Sequence, residues 1–306
     1  MDAGPCWCFD RFGQSSTVLA DGRTVLIAGE HEDHYDPDFY IYNDVVVVHP
    51  DGGIEIFGYP REIFPPTDFH SATLVGKNIV IIGNLGYPHD RRPATTPVFL
   101  LDIETLAISA VQTCGTPPGW IHEHEACLSD HGAAIVIQRG VLDRGDPDTS
   151  LVENIDDWRL TLGDWKWQRL TECRWQRWEF RRQDRTANHL WQIQQARWSR
   201  DVRQHEPFEE QMEELEHELG ARPDIDVAAR LYRPGVAHEQ LPEIENEYGI
   251  VRIRVADVVV RYVEDIYSVQ MTVEGDLSES VIDSLIADLR QKLATLENTP
   301  CEAKQL

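Results

Sequence analysis

Positive charge is scarce in this chain, and long apolar runs are missing from it. The 306 residues hold 53 Asp and Glu against 28 Lys and Arg, a formal net charge of −25. Such a balance disfavours DNA, RNA and anionic membranes as partners and favours attraction to a basic protein. An acidic surface that only keeps the protein soluble is the plainer alternative. No apolar stretch approaches the roughly 20 residues that a membrane-spanning helix needs. The start, Met1-Asp2-Ala3-Gly4-Pro5-Cys6-Trp7-Cys8, has neither a basic n-region nor an apolar h-region, so export by a signal peptide is not expected. The six cysteines form no Cys-x-x-Cys, and Cys6 with Cys8 is two ligands short of a zinc site. Reduced thiols in the cytoplasm are the expectation. A Gly-rich phosphate loop of Walker or dinucleotide type is also missing, as is a Gly-x-Ser-x-Gly nucleophile elbow.

What is present is a repeat. Its middle copy begins Phe69-His70-Ser71-Ala72-Thr73-Leu74-Val75, continues into Ile79-Val80-Ile81-Ile82-Gly83, and after a polar loop gives Pro97–Asp102 and Ile108–Val111. Each run has strand length and is bounded by Gly, Pro, Asn or Asp. The first copy has Gln14–Leu19, Val25–Gly29, Asp44–Val48 and Ile54–Phe57. The third has His124–Leu128, Ala134–Ile137, Trp158–Leu162 and Trp165–Trp167. Gln14, His70 and His124 occupy one slot in the three copies. Four strands recurring at a period near 55 residues point to stacked antiparallel sheets of the propeller type, because each sheet needs a neighbour to keep its faces dry.

Over residues 10–167 these units resemble kelch repeats. The likeness lies in a polar residue opening the first strand, a second strand ending in Gly, and an aromatic near the fourth, here Trp165 or Trp167. The chain departs from that pattern in having Ala28-Gly29, Ile82-Gly83 and Arg139-Gly140 where kelch repeats carry Gly-Gly. Closed propellers have four to eight blades, and three are legible. We therefore expect an open array covered by the residues after Trp167. Closure by diverged later strands, or by two chains forming a six-bladed ring, are the alternatives.

In the resemblance, the loops between second and third strands share one face with the loops linking successive blades, and that face binds partners. The first such loop carries Glu30, Glu32, Asp33, Asp36 and Asp38 without a Lys or Arg. The third carries Asp143, Asp146, Asp148 and Glu153, and also Asp156. The middle one, with His89, Asp90, Arg91 and Arg92, differs. Long polar loops on a rigid scaffold concentrate function, so Glu30, Glu32, Asp33, Asp36, Asp38, Asp143, Asp146, Asp148 and Glu153 are the candidate partner-binding residues.

After Trp167 the pattern changes. Residues 174–203 hold eight Arg together with Trp175, Trp178, Trp191 and Trp198. Leu190, Trp191, Gln194, Trp198 and Val202 fall near helical spacing. Arg interleaved with Trp can stack on single strands, but the overall acidity opposes phosphate binding; packing of the Trp stripe on a neighbouring sheet is preferred. Pro207 opens a helix with Phe208, Met212, Leu215 and Leu219 on one face, and Gly220 ends it. Farther on, Ile253/Val255, Val259/Tyr262/Val263 and Val269/Met271/Val273 read as three strands, followed by a helix capped at Ser278. The expected architecture is thus mainly β plus α+β: a kelch-like β domain at 1–170, a helical segment at 171–222, and a small α+β domain of three strands and one helix at 223–306.

Two clusters raise catalysis or metal binding. His31, Asp33, His34 and Asp36 supply N and O ligands, without the alternation and central Gly of an EF-hand. His122-Glu123-His124-Glu125 places His122 and His124 on one strand face, but it is not the helical His-Glu-x-x-His of zinc peptidases. His124 shares its repeat slot with His70, which favours a packing role. The preferred reading is a non-enzymatic binding protein without cofactor or metal, or else an assembly scaffold. Its composition and mosaic of blades and helices look like bacterial antitoxin-type immunity proteins. That likeness implies a basic, nuclease-type partner and carries no residue-level motif. A metal-dependent enzyme or metal-binding protein using the His31–Asp36 cluster with His122 or His124 is the runner-up.

Overall fold

A computed structural model of the chain describes residues 8–33, 36–145, 151–203, 208–242, 244 and 249–306, with the side chains of 32, 33, 36–39, 202 and 203 left aside. It divides into two units, Met1–Cys173 and Arg174–Leu306. In the first unit β1 (Ser15–Val18) and β2 (Thr24–Ile27) lead into a hairpin of β3 (Glu30–Asp33) and β4 (Asp36–Ile41). Then come β5 (Asp44–Val48), β6 (Ile54–Gly58), β7 (Ser71–Val75), β8 (Asn78–Ile82), β9 (Val98–Asp102) and β10 (Ile108–Ala110). The short β11 (Cys114–Gly115) and β12 (Trp120–His122) precede β13 (Glu125–Ser129), β14 (Ala134–Gln138), β15 (Val141–Asp143), β16 (Val152–Glu153), β17 (Trp158–Thr161) and β18 (Lys166–Arg169).

The twelve strands read from the repeat are all present, within two residues at each end. They form three antiparallel sheets: sheet 1 is β1-β2-β5-β6, sheet 2 is β7-β8-β9-β10, and sheet 3 is β13-β14-β17-β18 with β11 added parallel to β18. The first acidic stretch differs from expectation, because Glu30–Asp33 pairs with Asp36–Ile41, with Glu30 opposite Ile41 and His31 opposite Tyr40. Backbone pairing there satisfies N–H and C=O groups that a bare loop would leave to water. Among the described residues the sheets form no closed barrel.

Alternation along the strands explains the stacking. Ile79 and Ile81 of β8 join Val25, Ile27, Val45, Val47, Phe99 and Leu101 in one core, between sheets 1 and 2. Val80 and Ile82, on the opposite face of the same strand, join Ile135, Ile137, Leu160 and Trp167 in a second core, between sheets 2 and 3. Sheet 2 is therefore covered on both faces, which is why its strands read as unbroken apolar runs. In sheet 3 the side turned away from that core is mixed: Cys127, Val136, Arg159 and Gln168 lie in one cross-strand row.

A short ladder of backbone bonds links the sheets in series. Phe69 N–H donates to Gly13 O at 2.9 Å, and Glu123 N–H donates to Phe69 O at 2.8 Å. These three residues each precede the repeat slot and all have positive φ, +61° at Gly13, +48° at Phe69 and +54° at Glu123. A second repeated position, Gly29, Gly83 and Gly140, ends the second strand of each sheet, again at positive φ. A Cβ at Gly83 would stand 2.4 Å from Ile121 O and 2.6 Å from His124 Cε1. Glycine is required there by space as well as by conformation.

The second unit contains β19 (Gln176–Arg182), α1 (Leu190–Trp198), α2 (Phe208–Leu219), α3 (Ile225–Ala228), β20 (Glu239–Gln240), β21 (Ile250–Val255), β22 (Val258–Glu264), β23 (Ser268–Val273), α4 (Glu279–Leu296) and β24 (Cys301–Gln305). The three expected strands are β21, β22 and β23, but the sheet has six, in the order β20-β21-β22-β23-β19-β24. Residues 171–222 are therefore not a separate helical piece. β19 sits inside this sheet, its Trp178 and Phe180 alternating with Arg177, Glu179 and Arg181, a period that the Arg- and Trp-rich composition concealed. Trp178, Phe180, Met271, Tyr262 and Ile253 share a core with Leu190, Ile193, Ala196, Met212, Leu215, Ile282, Leu285 and Leu289 of the helices. Trp191 and Trp198 are 69% and 43% exposed, so the inward stripe of α1 is Leu190, Ile193 and Ala196 rather than the tryptophans. Pro207 lies outside the described residues, while Gly220, at φ +70°, follows α2 as expected. Among the described residues no helix is long and apolar enough to cross a membrane.

Two glycines of similar φ separate conformation from space. At Gly52, with φ +87°, an added Cβ would meet nothing within 4 Å. Gly52→Ala is expected to cost about 1 kcal/mol, and Gly83→Ala about 3 kcal/mol or more because the backbone must also move. Urea unfolding of the two variants, followed at the transition of the first unit, measures the difference.

Candidate functional site

One end of the stacked sheets gathers the segments that follow the second strands and those that link successive sheets. The β12 strand of the linker pairs with β15, and β15 with β16, so the third acidic stretch is held in a small sheet of its own. Beneath these segments lies a cluster of buried polar groups. Asp68 is wholly buried; its Oδ1 accepts from Gly86 N–H at 2.7 Å, and its own N–H donates to Asn84 Oδ1 at 2.9 Å. Asn84 Nδ2 in turn donates to Pro66 O at 3.0 Å. Burial pushes the Asp68 carboxyl above the usual carboxylate range, against the opposing pull of Gly86 N–H, Glu30, His122 and Arg91.

Three histidines are buried in the same part of the unit. His70 Nε2 lies 2.7 Å from Ser15 Oγ, and His124 Nε2 lies 2.8 Å from Ser71 Oγ. The first strands of sheets 1 and 2 thus each offer a serine to the histidine that opens the next sheet. Burial lowers His70 to about 4. It lowers His124 to about 3, with His70 and His122 adding to the effect. His122 is also buried, with neither ring nitrogen in hydrogen-bond contact; its Nδ1 is 3.8 Å from Glu123 Oε1. The proximity of His122 holds the Glu123 carboxyl below its ordinary range.

A Ser–His contact of this length is the beginning of a nucleophile–base pair. Here the Nδ1 atoms of His70 and His124 have no hydrogen-bond partner to orient the ring. The contact also occurs twice, at equivalent repeat positions, between neighbouring sheets. The geometry is that of a latch. It stops where the repeat stops: Gln14 occupies the slot in sheet 1 and bonds Ala28 O, and Glu125 stands in sheet 3 where Ser15 and Ser71 stand in the others, paired with Arg139 at 2.8 Å. Sequence reading placed His124 in this structural role but had no signal for the serine partners, which are one residue from the slot and contact the following sheet rather than their own.

Above the cluster opens a cleft of about 350 Å³, lined by Arg61, Glu62, Pro65, Asn84, Asp90 and Trp120. Arg61 pairs with Asp90 across it, and Trp120 Nε1 donates to Leu85 O at 3.0 Å at its base. The candidate acids separate around this region. Glu30 is buried at 9% exposure beside Asp68. Asp143 is half-buried, takes an ion pair from Arg91 at 3.2 Å and accepts from Gly145 N–H at 2.7 Å. Glu153 is half-buried in β16. Asp146, Asp148 and His34 lie outside the described residues, as do the side chains of Glu32, Asp33, Asp36 and Asp38. His31 Nδ1 contacts Asp10 O at 3.3 Å. Among the described residues no three His, Cys, Asp or Glu side chains converge where they could share a metal ion.

Buried His70 and His124 set a pH dependence. In the unfolded chain each titrates near 6.5. Their folded values lie below that, so at intermediate pH the unfolded chain binds more protons, and stability is full above about pH 6.5 and lost as pH falls through it. By pH 4 each histidine accounts for a loss of about 3 kcal/mol. His70→Gln or His124→Gln, which installs the residue already used at position 14, is expected to flatten the urea-stability profile between pH 6 and 4.5 by about one proton.

No protein-family model matches the chain, and a search of curated proteins finds no match either.

Proposed function

We propose that this chain is a non-enzymatic binding module for a basic protein, built on three kelch-like blades in an open array and acting in the cytoplasm. The most concrete form of the proposal is an inhibitor that neutralises a cationic nuclease-type toxin by occlusion. One observation carries it: the first unit is strongly acidic and pairs most of its own positive charge internally. It holds 27 acidic residues against 11 Lys and Arg, a net −16. Among the described residues Arg11, Arg23, Arg61, Arg91, Arg139, Arg159 and Arg169 all pair with acids of the same unit.

What remains at the surface is an excess of carboxylates such as Asp51, Glu62, Glu104, Glu123 and Asp164, all exposed. They stand on a stack of sheets whose loop end is tied down by Asp68, Asn84 and Arg91. A rigid surface of one sign loses little entropy on binding and accelerates encounter with a partner of the other sign. A nuclease must itself be cationic to hold its substrate, so the two potentials are complementary. The acids proposed to contact the partner include those of the two acidic segments, Glu32 to Asp38 and Asp146 to Asp148.

Stopped-flow mixing with purified cationic nucleases tests the reading. The association rate is expected to fall at least about tenfold between 50 and 500 mM NaCl, nuclease activity to be lost at a one-to-one ratio, and Glu62→Lys to slow association about threefold. Weak binding that ignores salt would overturn the proposal.

A further inference from the structure

The cleft of about 350 Å³ at the loop end already holds a cation of the chain itself. Arg61 comes from the segment that links sheet 1 to sheet 2, and its guanidinium pairs with Asp90 of the loop between β8 and β9. The same Nη2 atom lies 3.4 Å from His89 Nε2, and the His89 ring stacks on Tyr87 with centroids 5.7 Å apart. One short turn thus meets a planar donor with two side chains. The contact is loosely seated, for the Arg61 side chain is 49% exposed and that of Asp90 27%. Ion pairs at such exposure hold weakly. The segment that carries Arg61 is fixed by other contacts. Asn43 Nδ2 donates to Tyr59 O at 2.7 Å and to Phe64 O at 3.0 Å, and Phe64 is wholly buried. The guanidinium can therefore leave Asp90 while its backbone stays in place.

The balance of donors and acceptors selects what can replace it. Along the floor Trp120 Nε1 donates to Leu85 O, and both ends of the Asn84 amide are engaged, with Asp68 N–H and Pro66 O. Apart from Arg61, the polar groups left open are carboxylates: Asp90, and Glu62, which is exposed and has no ion pair among the described residues. Pro65 and Trp120 supply apolar wall. Open acceptors beside engaged donors suit a donor-rich cation on an apolar stem. A guanidinium is a planar fork of N–H donors without an acceptor, carried on methylenes. The volume agrees, since it lies at the small end of ligand clefts. It has room for one long side chain and not for a folded loop.

We propose that this cleft is the anchor pocket for an arginine side chain of the basic partner, and that Arg61 is an internal stand-in which that arginine displaces from Asp90. The proposal takes its partner from the docking reading above and names the point of contact. In the complex the incoming guanidinium bridges Asp90 and Glu62, its methylenes lie along Pro65 and Trp120, and Arg61 turns out to solvent. The partner's surface excludes water from the new pair, which makes it stronger than the rim contact it replaces. Arginines seated in this way are among the side chains that dominate interface energies.

Calorimetric titration of the full chain with Nα-acetyl-L-argininamide tests the pocket without a partner. Binding is expected with a dissociation constant of roughly 1–10 mM. Arg61→Ala removes the competitor and is expected to tighten binding about threefold. Asp90→Asn is expected to weaken it at least about fivefold. Glu104→Gln, at an exposed carboxylate of the β9–β10 turn, should leave it unchanged, and circular dichroism checks the fold of each variant. No binding below about 50 mM, weaker binding by Arg61→Ala, or equal affinity for Nα-acetyl-L-lysinamide would each overturn the proposal. A cationic nuclease separates the pocket from the docking reading. Asp90→Asn is expected to raise its dissociation rate about tenfold. Salt-dependent association that Asp90→Asn leaves untouched sinks the pocket and spares the reading, whereas argininamide binding without nuclease binding does the reverse.

Discussion

Two backbone hydrogen bonds set the geometry on which the first unit depends, Phe69 N–H to Gly13 O and Glu123 N–H to Phe69 O. Each requires the residue before the repeat slot to sit at positive φ, a conformation that costs a side-chain-bearing residue roughly 1–2 kcal/mol. Phe69 and Glu123 accept that strain because their surroundings hold the three segments in series. The slot residue next in the chain is then carried to the neighbouring sheet, where His70 meets Ser15 and His124 meets Ser71. The aliphatic cores supply most of the favourable free energy, but apolar contact is not directional. The ladder and the latches specify which sheet follows which, and in what register.

Directional contacts of this kind leave polar groups deep in the molecule. His70, His122 and His124 are buried, Asp68 is buried, and several of their polar atoms have no hydrogen-bond partner. Burial lowers two of the histidines, His70 and His124, far below their free value and pushes the Asp68 carboxyl above its own. The net charge of the unit is thereby pushed outwards. Its arginines are drawn into ion pairs at the loop end and along the strand edges, and unpaired carboxylates remain at the surface. Charge separation between a neutral interior and an acidic exterior is the physical basis of the docking reading.

The second unit solves a different problem. A six-stranded sheet packs its apolar face on α1, α2, α3 and α4 and buries Arg177, Glu179, Arg261, Gln270 and Thr272 on its other face, and its sequence signals are clear where one side of an element is apolar. Val269, Met271 and Val273 alternate cleanly, and α4 shows its inward stripe. The signal failed in β19. There Arg177, Glu179 and Arg181 alternate with Trp178 and Phe180, and an Arg- and Trp-rich stretch adjoining a true helix reads as helical by composition. Trp191 misled in the opposite direction, since an aromatic at helical spacing suggests a buried stripe, yet Leu190, Ile193 and Ala196 take that place.

By itself the sequence determined the local pattern: twelve strands in three sets of four, the repeat slot, the glycines that end each second strand, and the acidic balance. These arise from alternation, turn chemistry and composition, which act over a few residues. Tertiary structure alone decided what those positions do. His124 became a partner of Ser71 on the neighbouring sheet. Glu30 went beneath the loops beside Asp68, while Ile56, in an equally apolar strand, was left half exposed. Burial and pairing join residues 50 or more positions apart, and no local period encodes which of two faces will meet a neighbour.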